Sequence, residues 1–216
     1  MPLRLALYSD QVIPANADVN RRLLKLIGNE RPRIGYVSSA PDPSRRYFSA
    51  KKTYYAALGA ALCTYVDAEN VADSDLVAEL LKCDAIQLTG GDTYAFLAWL
   101  RACDFLPTLR EYARCGGVLI GTSAGSLLMS TSIAIAQLSP YPVSPDLSNL
   151  EALALVDFHF WPHYEPGQEQ ESAASAFLSG VPLVYACPDG AGVVVDHSSI
   201  ETVGPVKVFR YGRVDA

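Results

Sequence analysis

Gly117-Val118-Leu119-Ile120-Gly121-Thr122-Ser123-Ala124-Gly125-Ser126 is the stretch on which the reading of this chain turns. Val118, Leu119 and Ile120 form a short apolar run with β-branched members, the pattern of a strand buried on both faces of a parallel sheet. Leu127-Leu128-Met129 then reads as the start of a helix. Between them, Gly121-x-Ser123-x-Gly125 has the spacing of a nucleophile elbow, a sharp strand-to-helix turn that leaves its serine exposed. Small residues are needed two before and two after the serine, because a Cβ at either position would strike the neighbouring backbone. A serine so placed stands at the carboxyl end of its strand, where open parallel sheets keep their sites. The helix that follows presents unpaired N–H groups and a positive dipole end to a developing oxyanion. Alone, the pentapeptide also fits a helix cap with Thr122 or Ser123 as N-cap, so the chemistry depends on partners elsewhere.

Outward from this stretch, apolar runs at 3–8, 34–37, 62–66 and 85–88 read as further strands. Helical spacing marks 18–27, with Asp18 as its cap, then 44–58, 73–81, a segment carrying Phe96, Leu97 and Leu100, and about 106–114. Strand and helix alternate regularly, which predicts an α/β fold with a doubly wound, mostly parallel sheet. Beyond the elbow the pattern changes. A proline-rich loop covers 139–146, read equally well as a surface connection or as a rim over the site. A strand at 153–160, a helix at 169–178 and a strand at 184–187 follow. Three short β runs at 193–195, 201–203 and 206–211 close the chain, with Asp196-His197-Ser198-Ser199 as a hairpin turn, and predict a C-terminal β-hairpin extension.

The 216 residues suit one domain, 1–216, with a sizeable core. Half are hydrophobic, 19% are charged and the net charge is −6, so no basic footprint for nucleic acid is present. Five cysteines, an odd number without a C-x-x-C, read as reduced thiols of a cytosolic protein. No stretch has the form of a signal peptide or membrane span, so a cytoplasmic location away from the membrane is expected. His159 and His163 are four apart, but a strand running into Pro162 does not align them as a helix would. No P-loop occurs either, so neither a metal nor a cofactor is expected. A small peptide is the expected partner, and a homodimer is one arrangement open to the chain.

A serine hydroxyl is a weak nucleophile until a base takes its proton. His197 lies in the polar hairpin turn. His159, between Phe158 and Phe160, reads as a packed core histidine. His163 follows Pro162 just past a strand end, on the sheet edge that carries Ser123, and is preferred as base. The base needs a carboxylate to fix its tautomer. Asp189, in Cys187-Pro188-Asp189-Gly190 past another strand end, is preferred over Glu165 and Asp157, although the tripeptide is also an ordinary turn. For the oxyanion, the Ala124 N–H follows from the elbow. A second donor is Gly91 in the Gly90-Gly91 turn, where glycine lets backbone approach a ligand.

Together these residues resemble the peptidase E family, the aspartyl dipeptidases and their cyanophycinase relatives. The matching pieces are Leu88-Thr89-Gly90-Gly91-Asp92-Thr93, Gly121-Thr122-Ser123-Ala124-Gly125, Trp161-Pro162-His163-Tyr164 and Pro188-Asp189-Gly190. The resemblance implies a cytosolic serine peptidase with a class I glutamine amidotransferase-like, flavodoxin-like fold. It implies Ser123 as nucleophile, His163 as base, and Gly91 and Ala124 as oxyanion donors. Many members carry glutamate where this chain has Asp189. Aspartyl dipeptidases also carry arginine and aspartate shortly after the nucleophile helix, where residues 130–138 here hold no charge. A substrate carboxylate then needs another cation, and Arg45, Arg46, Lys51 and Lys52 are the candidates. The leading expectation is therefore a serine exopeptidase of short peptides, of the Asp-X dipeptidase type, acting through a Ser-His-Asp triad and an acyl-enzyme. An α/β-hydrolase-type esterase and a non-catalytic small-molecule-binding protein are the alternatives.

Overall fold

The apolar runs fold as five parallel strands: β1 (Arg4–Tyr8), β2 (Arg33–Val37), β3 (Ala61–Val66), β4 (Ala85–Leu88) and β5 (Val118–Thr122). The structure is a computed structural model in which residues 3–138, 148–167, 177, 183–210 and 213–215 are described. Helices α1 (Ala17–Ile27), α2 (Arg46–Ala57), α3 (Ser74–Leu81), α4 (Thr93–Ala102) and α5 (Phe105–Arg114) connect the strands, and α6 (Ala124–Leu127) follows β5. Two antiparallel strands, β8 (Gly192–Asp196) and β9 (Ser199–Val203), complete a seven-stranded sheet of order β3-β2-β4-β5-β1-β8-β9. A second, smaller sheet of order β11-β10-β7-β6 is built from β6 (His159–Pro162), β7 (Leu183–Cys187), β10 (Lys207–Arg210) and β11 (Arg213–Asp215).

Period-two alternation divides the core into two layers. Leu5, Leu7 and Leu119 face one way and pack with Phe96, Leu97 and Leu109 of α4 and α5. Ala6, Tyr8, Val118 and Ile120 face the other way, against Val19 and Leu23 of α1 and Tyr54 and Tyr55 of α2. Both faces are covered by helices, which is why the strands read as unbroken apolar runs rather than as polar–apolar alternation. Each fully buried leucine contributes roughly 1.5–3 kcal/mol. The small sheet joins the first layer through Phe160, Val184 and Phe209.

Three expectations are corrected. Asp18 does not cap α1: the helix begins at Ala17, and Asp18 sits in its first turn beside Arg21 at 2.8 Å. The strand expected at 153–160 forms only at His159–Pro162. Leu153 and Leu155 are buried, yet their N–H groups donate to Leu128 O and Met129 O at 2.9 Å each, outside any ladder. The C-terminal hairpin is not an appendage: β8 pairs with β1 as part of the main sheet, and β10 returns to pair with β7. The loop at 139–146 and the helix at 169–178, apart from Phe177, lie outside the described residues.

Candidate active site

The turn after β5 is fixed by contacts to both neighbouring strands. Ser123 N–H donates to Tyr8 O at the end of β1 (2.9 Å), and Gly125 N–H donates to Thr89 O after β4 (3.0 Å). The buried Ser126 hydroxyl donates to Tyr8 O (2.9 Å) and accepts from Tyr8 N–H (3.1 Å). A Cβ at Gly121 would lie 2.6 Å from the Ser126 backbone, and one at Gly125 would lie 2.2 Å from Leu88 O. No side chain fits at either position. Ser123 itself adopts φ 49°, ψ −110°, a sparsely populated conformation of the kind that functional turns hold under strain.

The small sheet brings the other two predicted residues together. β6 and β7 are parallel neighbours with Pro162 opposite Cys187, so the residues just past their ends lie side by side. His163 Nδ1 is 2.7 Å from Asp189 Oδ1, and His163 Nε2 is 3.0 Å from Ser123 Oγ. With the Nδ1 proton directed at the carboxylate, the Nε2 lone pair faces the hydroxyl. The His163 and Asp189 side chains are 42% and 62% exposed, so water screens their attraction and charge alone holds them weakly.

Ser9 supplies part of what charge does not, and the sequence reading missed it. It is fully buried just past β1, and its hydroxyl accepts from His163 N–H (2.8 Å) and donates to Asp189 Oδ1 (3.0 Å). His163 is held at φ 55° while making that bond. Asp10 extends the clamp by accepting from Gly190 N–H at 2.7 Å. Their position directly after the first strand, at the carboxyl edge of the sheet, was the available signal.

Of the expected oxyanion donors, Ala124 begins α6. The N–H groups of Ser126 and Leu127 close on Ser123 O, and those of Ser123 and Gly125 bind Tyr8 and Thr89 as above. The Ala124 amide is the one left in this turn among the described residues. The Gly90-Gly91 turn lies against the serine, a Cβ on Gly90 falling 3.5 Å from Ser123 Cβ. Gly91 has φ 136°, and a Cβ there would meet Ser39 Oγ at 2.2 Å, so only glycine fits.

A cavity of about 500 Å³ opens beside Ser123 and His163, walled by Tyr94, Leu127, Ile135 and Trp161. No lysine or arginine lines it among the described residues. The four cations considered for a substrate carboxylate sort differently. Arg45 stacks on Tyr65 with Cζ 3.3 Å from the ring centroid, Arg46 lies over the exposed Tyr47, and Lys52 is exposed. Lys51 turns into a second cavity. Of the remaining histidines, His159 is buried, which holds its pKa below the ordinary value, and His197 sits exposed in the hairpin turn, 2.5 Å from Asp196.

The sequence profile of peptidase family S51 matches residues 5–203. The chain is 33% identical over 159 residues to the uncharacterized peptidase Lmo0363 of Listeria monocytogenes, covering 72% of this chain and 77% of that one. It is 28% identical over 144 residues to Peptidase E of Pasteurella multocida, covering 62% and 60%. Among solved structures, a Listeria monocytogenes protein provisionally described as a peptidase E superposes with a TM-score of 0.75 at 23% identity. That superposition covers 94% of this chain and 98% of the other.

Proposed function

The chain belongs to peptidase family S51, the peptidase E-like serine peptidases, and from that premise we propose that it is an exopeptidase of short peptides working through Ser123, His163 and Asp189. The observation that carries the assignment of roles is the unbroken relay, 2.7 Å from carboxylate to imidazole and 3.0 Å from imidazole to hydroxyl. Ser123 Oγ attacks the scissile carbonyl while its proton passes to His163 Nε2. Asp189 orients the ring and stabilises the imidazolium. The oxyanion takes hydrogen bonds from the Gly91 and Ala124 N–H groups, each such donor being worth about 3 kcal/mol in the transition state. Collapse breaks the C–N bond, and Nε2 returns its proton to the departing amine. Water then attacks the acyl ester, giving its proton to Nε2, and Ser123 Oγ leaves and is reprotonated from there. This acid–base transfer contributes roughly 10²–10⁴-fold.

Asp-X dipeptides are the finer form of the reading. Its support is the likeness to proteins named Peptidase E. The walls beside Ser123 lend it none, since among the described residues they present no lysine or arginine to a substrate carboxylate. The class I glutamine amidotransferase-like fold and the treatment of 1–216 as one domain belong to the same proposal, supported by helices on both faces of the sheet. Ser123→Ala is expected to abolish peptide hydrolysis and fluorophosphonate labelling without loss of fold. Full activity in that variant ends the proposal, and hydrolysis of p-nitrophenyl esters with no peptide turned over replaces it with an esterase.

A further inference from the structure

A second cavity, of about 670 Å³, adjoins the first along Gly91 and Asp92. It opens past the carboxyl ends of the neighbouring strands β2 and β4, with Ser38, Ser39, Thr89 and Gly90 in its wall. The helix after β2 packs on one face of the sheet through Tyr55, and the helix after β4 packs on the other through Phe96. Adjacent strands whose connections leave to opposite faces hold a crevice between them, where open α/β sheets bind ligands.

Lys51 is the only lysine or arginine lining either cavity among the described residues. Segments 139–147 and 168–182 contain neither residue type. Lys51 Nζ donates to Gln11 Oε1 at 3.0 Å and lies 4.6 Å from the Tyr54 ring centroid. No ion pair among the described residues includes it. The acids of the same cavity are already committed. Asp42 accepts from Ser44 Oγ–H (2.7 Å) and Tyr47 N–H (2.9 Å), and Asp92 accepts from Tyr94 and Ala95 N–H at the start of α4. A half-buried ammonium with one neutral partner has donors to spare in a medium where a charge gains most from an opposite charge.

The ammonium is also wired to the reacting end of the site. Gln11 Nε2–H donates to Tyr55 OH (3.3 Å), Tyr55 OH donates to Gln87 Oε1, and Gln87 Nε2–H donates to Thr122 Oγ1 (2.9 Å). Thr122 directly precedes Ser123.

We propose that this second cavity is a carboxylate-binding subsite with Lys51 as its cation, so that the substrates are short peptides carrying a free carboxylate seated there. The inference rests on the serine-peptidase reading and deepens it: an enzyme limited to chain ends must sense one. Two sources share the chemistry, the C-terminal carboxylate and an acidic side chain. Burial lowers the Lys51 pKa to about 8, with Asp10 opposing the shift. The other titratable groups lining the cavity are Tyr36, Asp42, Tyr47, Tyr54 and Asp92. Carboxylate affinity is therefore expected to fall as pH rises through about 8.

The test is calorimetric binding to Ser123→Ala protein, which needs no turnover, using Ala-Leu, Asp-Leu, Asn-Leu and the C-terminal amide of each. Acid over amide, or Asp over Asn, should be preferred about 10- to 100-fold at pH 7, the loss expected for one desolvated charge-assisted contact. The first preference assigns the terminus and the second the side chain. Either should vanish in Lys51→Met and in Lys51→Gln, and should shrink at pH 9.5 in the Lys51 protein alone. The acid-to-amide ratio cancels titration of the peptide's own amine. Equal binding of all six peptides, no binding of any, or a preference that survives both substitutions overturns the subsite. Failure of the serine-peptidase reading would appear separately, as absent fluorophosphonate labelling of Ser123.

Discussion

Replacing Ser9 by alanine tests whether the relay is held by its buried hydroxyl rather than by charge. Two bonds disappear, one from His163 N–H at 2.8 Å and one to Asp189 Oδ1 at 3.0 Å. A part-buried N–H left without an acceptor costs at most about 1–3 kcal/mol. The bond to Asp189 adds little, because that side chain is 62% exposed and water replaces the lost donor. Relaxation of the His163 backbone returns part of that cost, so a net stability loss of about 1 kcal/mol follows, or some 2–4 °C in Tm for a chain of this size. The effect on rate comes from the His163 backbone, held at φ 55°. A left-handed conformation costs a non-glycine residue about 1–2 kcal/mol, so once released the productive conformer becomes the minor one. That penalty lowers kcat by about 5- to 30-fold. Ser9 lines neither cavity, so KM should stay within about twofold of the parent, no binding contact having been removed. Steady-state kinetics on the best dipeptide, the second-order rate of fluorophosphonate labelling and a melting curve read all three quantities. A variant that melts lower but keeps its parent's kcat and labelling rate would show Ser9 to be structural only, and the argument from the strained histidine would fail.

Two further outcomes are expected. Gly125→Ala would place a methyl group 2.2 Å from Leu88 O, so the elbow must move. Overpacking of about 1–3 kcal/mol should lower Tm by several degrees, and fluorophosphonate labelling should be lost even in the folded fraction, so labelling at the parental rate contradicts the steric account. His159 is buried with its pKa held low by desolvation, while the unfolded chain binds that proton near ~6.5. Below that pH the unfolded state carries more protons, so stability is present above it and is lost as pH falls. His159→Phe should flatten the drop in Tm between pH 7.5 and 5.5, and an identical drop in both proteins would remove His159 as its cause.

What the sequence disclosed and what it hid divide along a physical line. The elbow was legible because sterics leave one residue type at each position: whatever lies beside Gly121 and Gly125, a Cβ strikes backbone. The five parallel strands were legible because burial on both faces forces unbroken apolar runs. The run at 153–160 exposes the limit of that inference, since apolar character reports burial and not the partner of the backbone. There the carbonyls of Leu128 and Met129 took the place of a neighbouring strand. His163 and Asp189 could be placed past strand ends, but their meeting depends on β6 and β7 being neighbours in a separate sheet, which no local pattern encodes. Ser9 and Lys51 lie at the far end of this scale. Serine after a strand and lysine on a helix are each compatible with almost any surface. Ser9 acquires meaning from bonds that span 154 and 180 residues, and Lys51 from a crevice between two strands whose helices depart to opposite faces. The order of strands in the sheet therefore carries the part of the site that composition and spacing do not: it sets the end of β1 against the elbow, and the end of β2 against the glycine turn.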